Sequence, residues 1–258
     1  MLLAFDLDNT VVTRDHALPA ATDAAIRKAR DAGHLVTVLT GRPLASATPF
    51  VEALEVLPGP YSVNHGALVF GRAGEVLKRR RMTRAHVEAL LSPPLRPPDV
   101  PYACMVDDAL FVEDPADPRW SWAHTANRRV ERYAAGVVHE ADKVVFSSNG
   151  RSADLQASIA AEHDLTFYRW NDGYLEITAR DADKGAALAL IAETLAVARE
   201  DVVAFGDGAN DVTMLAWAGH GVSVGPHASP EVRAAAQEHV AAPEEGGVAG
   251  WLAAHAHG

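Results

Sequence analysis

Short apolar runs alternate with amphipathic segments along the first third of the chain. The run Leu2–Phe5 is typical of a buried strand, the periodicity of residues 20–32 predicts a helix, and the β-branched run 34–40 predicts a second strand. A helix with proline in its first turn is expected over 43–54, and a strand, a turn and a strand over 61–70. This repeated β-α-β order predicts an α/β fold with a parallel sheet and helices on both faces.

The pattern changes in the middle of the chain, after a proline-rich segment. Short strand candidates follow, and helical stretches are expected near 124–135 and 151–163. The simple alternation returns with an amphipathic helix over 183–197, and the tail 229–256 is expected to be mostly helical. These changes predict an inserted α/β unit that interrupts the first one.

We therefore expect a core formed by residues 1–79 and 180–258, and a smaller α/β domain formed by residues 80–179. The basic run 78–81 lies at the predicted junction between them. A solvated hairpin or linker is favoured there over an anion-binding surface.

Composition narrows the classes of partner. The chain has 258 residues, 48% of them hydrophobic, and its 23 basic and 34 acidic residues give a net charge of −11. Such a charge argues against nucleic acid and anionic membranes as partners, although a cation could still mediate phosphate binding. The N-terminal apolar run is short and reaches Asp6 at once, so we expect no signal peptide, no membrane span and a cytoplasmic location. Cys104 is the one cysteine, which excludes an intramolecular disulfide and a cysteine-based zinc site.

Acidic residues follow two of the predicted strands. Asp6 and Asp8 come after the first strand and should face the same way if strand geometry continues. Asp207 follows a later strand, and Asp211 comes four residues on, at the start of a helix. The carboxyl ends of parallel strands meet at one edge, where open α/β sheets place their ligands. This much oxygen-only negative charge predicts a hard cation, and Mg²⁺ is the usual one.

Other element ends carry groups that suit a phosphate. Thr40 ends the second strand and leads into Gly41, and a hydroxyl and a glycine N–H at a helix start can hold a phosphate oxygen. Lys184 opens the helix that follows the inserted unit. A lysine in a carboxylate-rich site offsets charge and contacts phosphate as a point cation.

Four more residues are candidates for substrate contacts. Arg42 follows the predicted phosphate-holding residues, and His65 lies near a strand end. Trp170 and Asn171 precede the strand that returns to the core, which favours a contribution of the inserted unit to specificity. Packing within that unit is the alternative for Trp170, as it is for the other tryptophans there.

The glycine-rich turn 206–211 has a competing interpretation as a dinucleotide-binding loop, because it follows a strand and starts a helix. Its sixth residue is Asp211 rather than glycine. An acid at this position would repel a pyrophosphate, so the pattern favours cation binding.

Taken in order, these motifs resemble those of a known superfamily. Asp6-Leu-Asp8-Asn-Thr10, Thr40-Gly-Arg, Lys184 and Gly206-Asp-Gly-Ala-Asn-Asp211 are similar to the four motifs of haloacid dehalogenase (HAD) hydrolases. The insertion between the second and third motifs resembles that of the Cof-type branch, which carries a type IIB α/β cap. The resemblance covers essentially the whole chain and implies a Rossmann-like core.

Two positions differ from the residues that are usual in the motifs of that branch. Asn9 stands where glycine is commonest, and His65 stands where many members have asparagine. The His-Gly-Ala version of this motif resembles sugar-phosphate phosphatases of the trehalose-phosphate type.

The resemblance implies phosphoryl transfer in two steps. Asp6 would attack phosphorus and form an aspartyl-phosphate. Asp8 would protonate the leaving oxygen and then activate water. Mg²⁺ would be held by the Asp6 carboxylate, the Asp8 main-chain carbonyl and Asp207. The remaining motif residues would hold the phosphate oxygens (Thr40, Gly41 and Lys184) or brace the site (Asn210 and Asp211).

We expect a Mg²⁺-dependent phosphatase that acts on small phosphorylated metabolites, among which sugar phosphates are favoured. We expect it to be a monomer or a small homo-oligomer. A phosphomutase of the same superfamily is one alternative, because some mutases share this cap type. A metabolite-binding relative that has lost the chemistry is the other. The intact set Asp6, Asp8, Lys184 and Asp207 argues against this second alternative.

Overall fold

The chain forms two compact units. The computed structural model describes residues 1–124, 128–134, 136–170 and 173–256. The first unit comprises residues 1–42, 47–79 and 183–258, and the second comprises residues 43–46 and 80–182.

The strands in the described part of the chain are β1 (Leu2–Phe5), β2 (Leu35–Val38), β3 (Tyr61–Val63), β4 (Leu68–Phe70), β5 (Val76–Arg79), β6 (Tyr102–Val106), β7 (Ala109–Val112), β8 (Arg129–Arg132), β9 (Lys143–Ser147), β10 (Leu165–Arg169), β11 (Tyr174–Ala179), β12 (Val202–Gly206), β13 (His220–Val224) and β14 (Glu238–Val240). The helices are α1 (Ala20–Asp31), α2 (Leu44–Ala53), α3 (Arg84–Leu90), α4 (Ser121–His124), α5 (Ser152–Ala160), α6 (Lys184–Leu195), α7 (Val212–Trp217), α8 (Pro230–Ala235) and α9 (Gly247–His255). None of these helices, all within the described residues, has the length and apolarity that a membrane span needs.

A parallel sheet forms the centre of the first unit. Its strand order is β14-β13-β12-β1-β2, and each neighbouring pair is parallel. Every residue of β1 is buried, which explains its uninterrupted apolar sequence. The Phe5 ring stacks on Phe205 of the adjacent strand, with 4.9 Å between ring centroids. The predicted α/β fold with a parallel-sheet core is confirmed, and the carboxyl ends of β1, β2 and β12 meet at one edge.

A small antiparallel sheet, β3-β4-β5, joins this edge. Leu39, just past β2, pairs with Ser62 of β3 in a parallel bridge. The Thr40 N–H donates to the Ser62 carbonyl at 3.0 Å, and the His65 N–H donates to the Thr40 carbonyl at 3.0 Å. The turn that follows β3 is therefore fixed against the residues that follow β2.

The second unit contains a six-stranded sheet in the order β10-β11-β9-β6-β7-β8. Its pairs are antiparallel except for β7 with β8. Apolar residues of α3 and α5 pack with one set of strand residues, among them Cys104 and Phe146. Trp120 belongs to a second apolar cluster with Met105 and Val145. This unit is the additional α/β domain that the change of pattern in the middle of the sequence predicted.

Two predicted helical stretches are wrong in part. The range 124–135 contains β8, and the tail 229–256 contains β14 between α8 and α9. Both are short polar strands whose own residues give no alternation. Pairing with β7 and β13 holds them in strand geometry, so tertiary context overrides the local pattern.

Candidate functional site

Three carboxylates converge at the edge of the parallel sheet. Asp6 follows β1, and its N–H donates to the Phe205 carbonyl of β12 at 3.0 Å. Asp207 follows β12, and Asp211 ends the short turn before α7. Asp6, Asp207 and Asp211 each offer a carboxylate oxygen, and these oxygens lie within 4.8 Å of one another. The predicted meeting of acidic groups from separate strands is therefore present in the fold.

A buried lysine lies among these carboxylates. Lys184 is the first residue of α6, and its side chain is fully buried. Its Nζ donates to Asp6 Oδ1 and to Asp211 Oδ1, each at 2.5 Å. The helix start that presents Lys184 is capped by Asp183, whose carboxylate accepts from the Ala186 N–H at 2.7 Å. One ammonium thus faces three acids, which leaves the cluster with excess negative charge.

The turn after β12 is held by the side chain of Asp211. Asp211 Oδ2 accepts from the N–H groups of Asp207 at 3.0 Å and Gly208 at 2.9 Å. A Cβ on Gly206 would lie 2.5 Å from the Asp211 Cβ, so glycine is required there for close approach. These contacts fix the backbone from which the Asp207 side chain extends.

The electrostatics of the cluster follow from burial and mutual repulsion. Burial raises the pKa of Asp6 well above its ordinary value, and the Lys184 charge offsets only part of this shift. Burial, and next the Asp211 charge, raise the pKa of Asp207 to about 7. Burial alone would lower the pKa of Lys184, but the charges of Asp211 and Asp6 outweigh it and the pKa is raised. An oxygen-only donor set that one ammonium compensates only in part fits a hard divalent cation.

The Asp8 carboxylate has a different environment. The strand ends at Phe5, so strand alternation does not extend to Asp8. Arg42 forms hydrogen bonds with both carboxylate oxygens of Asp8. Its Nε donates to Oδ2 at 2.8 Å, and its Nη2 donates to Oδ1. The Arg42 guanidinium lies over the Phe50 ring, 4.5 Å from its centroid. Burial would raise the pKa of Asp8, but the Arg42 hydrogen bond and charge outweigh it, and the pKa is lowered.

The candidate phosphate-holding residues lie beside this arginine. The buried Thr40 hydroxyl accepts from the Arg42 N–H at 3.1 Å. Gly41 is packed against the His65 ring, because a Cβ on Gly41 would lie 2.3 Å from His65 Cε1. The Asn210 amide, in turn, contacts His65 Nδ1 at 3.0 Å. The structure therefore brings Thr40, Gly41, Arg42, His65 and Asn210 into the same unit as the acidic cluster.

Two neighbours of Asp207 had no role assigned from sequence. The Thr10 hydroxyl donates to Asp207 Oδ1 at 3.4 Å, and a hydrogen bond from the Asn9 side chain also lowers the pKa of Asp207. Asn9 has φ 55°, a left-handed conformation that glycine and asparagine tolerate best. The signal for both was their place in the first motif.

The candidates from the inserted segment are placed differently. Trp170 belongs to the second unit and packs with Trp122 at 5.8 Å and Tyr174 at 5.6 Å between ring centroids. Asn171 lies outside the described residues. The packing alternative for Trp170 is therefore present, and its role toward a substrate stays a prediction.

Comparisons with known proteins agree with this site. A family model of haloacid dehalogenase-like hydrolases matches residues 3–252. The chain is 29% identical over 239 residues to the pyridoxal phosphate phosphatase of Escherichia coli (strain K12), covering 87% of each protein. It is 27% identical over 246 residues to the HMP-PP phosphatase of Serratia proteamaculans, covering 90% of this chain and 86% of that protein. A solved haloacid dehalogenase-like hydrolase from Bacteroides thetaiotaomicron has the same fold, with a TM-score of 0.84, 20% identity and 98% coverage of both chains.

The family match extends over nearly the whole chain and includes all the residues of the acidic cluster. Both curated relatives are named as phosphatases, which agrees with the predicted enzyme class. The match also confirms the resemblance that the motifs carried. This chain belongs to the haloacid dehalogenase-like hydrolase family.

Proposed function

We propose that this chain is a Mg²⁺-dependent phosphatase that hydrolyses small phosphorylated metabolites through an aspartyl-phosphate intermediate. Sugar phosphates are the favoured class of substrate. The observation that carries the proposal is the buried Asp6 carboxylate, which is bonded to Lys184 and lies within 4.8 Å of two further carboxylates. The phosphatase names of the relatives support the reaction class. Because their names give different substrates, the proposal specifies a class of metabolite and the panel below identifies the compound.

Asp6 is the proposed nucleophile. Its oxygen forms a bond to phosphorus while the bond between phosphorus and the leaving oxygen breaks. Lys184 orients the carboxylate through a hydrogen bond at 2.5 Å, and its charge offsets part of the cost of ionising Asp6 in a buried place. Mg²⁺, held by the Asp6 carboxylate, the Asp8 main-chain carbonyl and Asp207, would shield the nucleophile from the negative charge of the phosphate.

Asp8 is the proposed acid and base. It gives a proton to the leaving oxygen in the first step and takes one from the attacking water in the second, so protons balance over the cycle. The hydrogen bonds from Arg42 orient the Asp8 carboxylate and favour its ionised form. That form suits the second step directly, whereas the first step requires Asp8 to be protonated when the ester is bound.

Thr40, Gly41 and Lys184 are the proposed holders of the equatorial phosphate oxygens. A hydroxyl, a main-chain N–H and an ammonium stabilise the charge that spreads over these oxygens in the transition state. Asn210 and Asp211 are proposed to brace them. The fixed turn around Asp211 supports this role, because its carboxylate bonds both to Lys184 and to the backbone after β12.

We assign the catalytic core to residues 1–79 and 180–258 and the choice of substrate to residues 80–179. Arg42, Trp170 and Asn171 are the proposed candidates for substrate contacts. The net charge of −11 supports a protein without nucleic-acid or anionic-membrane partners. We further propose a cytoplasmic monomer or small homo-oligomer.

Release of inorganic phosphate from a panel of phosphorylated metabolites tests this function. The panel contains hexose and pentose phosphates, pyridoxal phosphate and p-nitrophenyl phosphate, each assayed with and without Mg²⁺. We expect phosphate release that requires Mg²⁺. Transfer of the phosphoryl group within a hexose phosphate, activated by a bisphosphate and without phosphate release, would identify a mutase instead. No turnover of any ester would identify a non-catalytic relative.

The Asp6→Asn variant tests the nucleophile. Because the amide cannot attack phosphorus, we expect kcat for p-nitrophenyl phosphate to fall by at least about 10³-fold. Asp31→Asn, at the exposed end of α1, is the matched control and should keep wild-type kcat. Full turnover by Asp6→Asn would contradict the proposed mechanism.

A further inference from the structure

The His65 side chain lies between the two loops that carry the proposed site. One loop is 40–42, after β2, and the other is 206–211, which begins at the last residue of β12. The His65 ring packs directly over Gly41, where a Cβ would come within 2.3 Å of Cε1 and 2.9 Å of both ring nitrogens. The same ring contacts Asn210 Nδ2 through its Nδ1 at 3.0 Å. His65 is thus a buried connection between segments that are far apart in the sequence.

The contact with Asn210 defines the hydrogen bond. An amide nitrogen only donates, so His65 Nδ1 is the acceptor in this contact. The bond therefore fixes the position of the Asn210 side chain relative to His65, which packs on loop 40–42. Asn210 directly precedes Asp211 in the chain. A side chain that offers no acceptor at this position would release it.

The backbone around His65 is also constrained. His65 and Asn64 have φ of 56° and 51°, and both are non-glycine residues in the left-handed region. The Asn64 N–H donates to the Arg42 carbonyl at 2.9 Å, and the His65 N–H donates to the Thr40 carbonyl at 3.0 Å. Gly66 has φ 90°, and a Cβ there would lie 2.1 Å from the Asp183 carbonyl oxygen. The turn is therefore locked against loop 40–42 and against the residue that precedes Lys184.

We propose that His65 is a positioning residue that sets the spacing between the phosphate-holding loop 40–42 and the cation-binding loop 206–211. This inference rests on the proposed function and assigns to His65 a role other than contact with substrate. The ring acts at once as a spacer over the Gly41 peptide and as an acceptor for Asn210. Loss of the ring would allow the distance between the two loops to change. A misplacement of about 1 Å at a reacting centre lowers the rate by on the order of 10²-fold.

Kinetics of two substitutions separate the positioning role from a purely structural one. In His65→Ala both spacer and acceptor are lost, and we expect kcat for p-nitrophenyl phosphate to fall by about 10- to 100-fold. In His65→Asn the ring over Gly41 is lost, but an amide oxygen can occupy the place of Nδ1 and accept from Asn210. We therefore expect kcat to fall clearly less than in His65→Ala, by under about tenfold from the wild-type value.

His34→Asn is the matched control, because His34 precedes β2 at the opposite end of that strand from Thr40. It should keep wild-type kcat and KM. Wild-type kcat in His65→Ala would overturn the proposal. An equal loss in His65→Ala and His65→Asn would overturn the role of Nδ1 as the acceptor for Asn210, because the lost ring over Gly41 would then account for the whole effect.

A spectroscopic measurement keeps this test independent of the phosphatase proposal. In the ¹H–¹⁵N spectrum of the metal-free protein, we expect one side-chain amide proton of Asn210 to be shifted downfield by its bond to the imidazole. The shift should disappear in His65→Ala and persist in His34→Asn. An ordinary Asn210 amide shift in the wild-type protein would overturn the positioning role. Absence of any turnover across the metabolite panel, with the shifted amide present, would instead reject the proposed phosphatase and leave the His65 contact established.

Discussion

At the scale of single residues, one charge imbalance governs the site. Asp6, Asp207 and Asp211 face the ammonium of Lys184, and of these residues only Asp207 is partly exposed. Burial and repulsion therefore raise the pKa values of Asp6 and Asp207. Without a cation, this arrangement favours a bound proton, and a divalent cation would take the place of that proton.

We expect the effect of Mg²⁺ on thermal stability to depend on pH. The pKa of Asp207 in the fold, about 7, lies above its ordinary value of 3.8. A raised pKa means that protonated Asp207 favours the folded state at low pH, and that this contribution is lost as pH rises through about 7. Since Mg²⁺ binds the carboxylate and not the acid, its addition should raise Tm little at about pH 5.5 and by several degrees at about pH 8.5.

Differential scanning calorimetry with and without Mg²⁺ measures this difference. Asp207→Asn removes one of the two proposed ligands whose pKa is raised, so Mg²⁺ should have a much smaller effect on its Tm at both pH values. An equal Mg²⁺-induced shift at low and high pH in the wild-type protein would contradict the expected competition between protons and Mg²⁺ for these carboxylates.

At the scale of elements, the start of α6 presents the buried lysine. The helix begins at Lys184 because the Asp183 carboxylate caps the Ala186 N–H, at 2.7 Å. The Asp183 carbonyl lies against Gly66, whose φ of 90° and lack of a side chain permit the approach. The cap therefore both starts the helix and holds the direction from which Lys184 reaches Asp6.

Removal of this cap should weaken both folding and the site. We expect Asp183→Ala to lower the free energy of unfolding by about 1 kcal/mol, because one N–H of the first helical turn loses its acceptor. Asp183→Asn can still accept this bond and should stay close to wild type. Urea titration measures both variants, and an equal stability of Asp183→Ala and wild type would show that the cap does not anchor α6.

At the scale of the whole molecule, chemistry and substrate choice are proposed to lie in different units. All the described residues of the acidic cluster belong to the first unit. The second unit holds a packed aromatic group in which Trp170 contacts Trp122 and Tyr174. A change in the second unit should therefore alter which ester is used more than it alters the reaction itself.

Trp170→Ala tests this division. If Trp170 contributes to substrate choice, kcat/KM for the best metabolite should fall by about 10- to 100-fold, because a contact with the substrate is lost. Turnover of p-nitrophenyl phosphate should stay within about threefold, since the residues of the first unit are unchanged. Trp170→Phe keeps an aromatic ring and serves as the control. Equal losses on both substrates would assign Trp170 to packing alone.

The sequence by itself determined the family, the α/β class and the set of candidate residues. Apolar runs that end in Asp6, Thr40 and Asp207 carry this information locally, because a buried parallel strand must be apolar and its carboxyl end is where polar groups can meet. The polar strands β8 and β14 were missed because pairing with a neighbour, rather than their own pattern, makes them strands.

Only the tertiary structure decided how these side chains are paired. It directs Lys184 to Asp6 and Asp211, Arg42 to Asp8, and His65 to Gly41 and Asn210. Lys184 and Asp6 are 178 positions apart in the chain. Local patterns cannot specify such partners, since the partner of a buried charge is fixed by the packing of whole elements against one another.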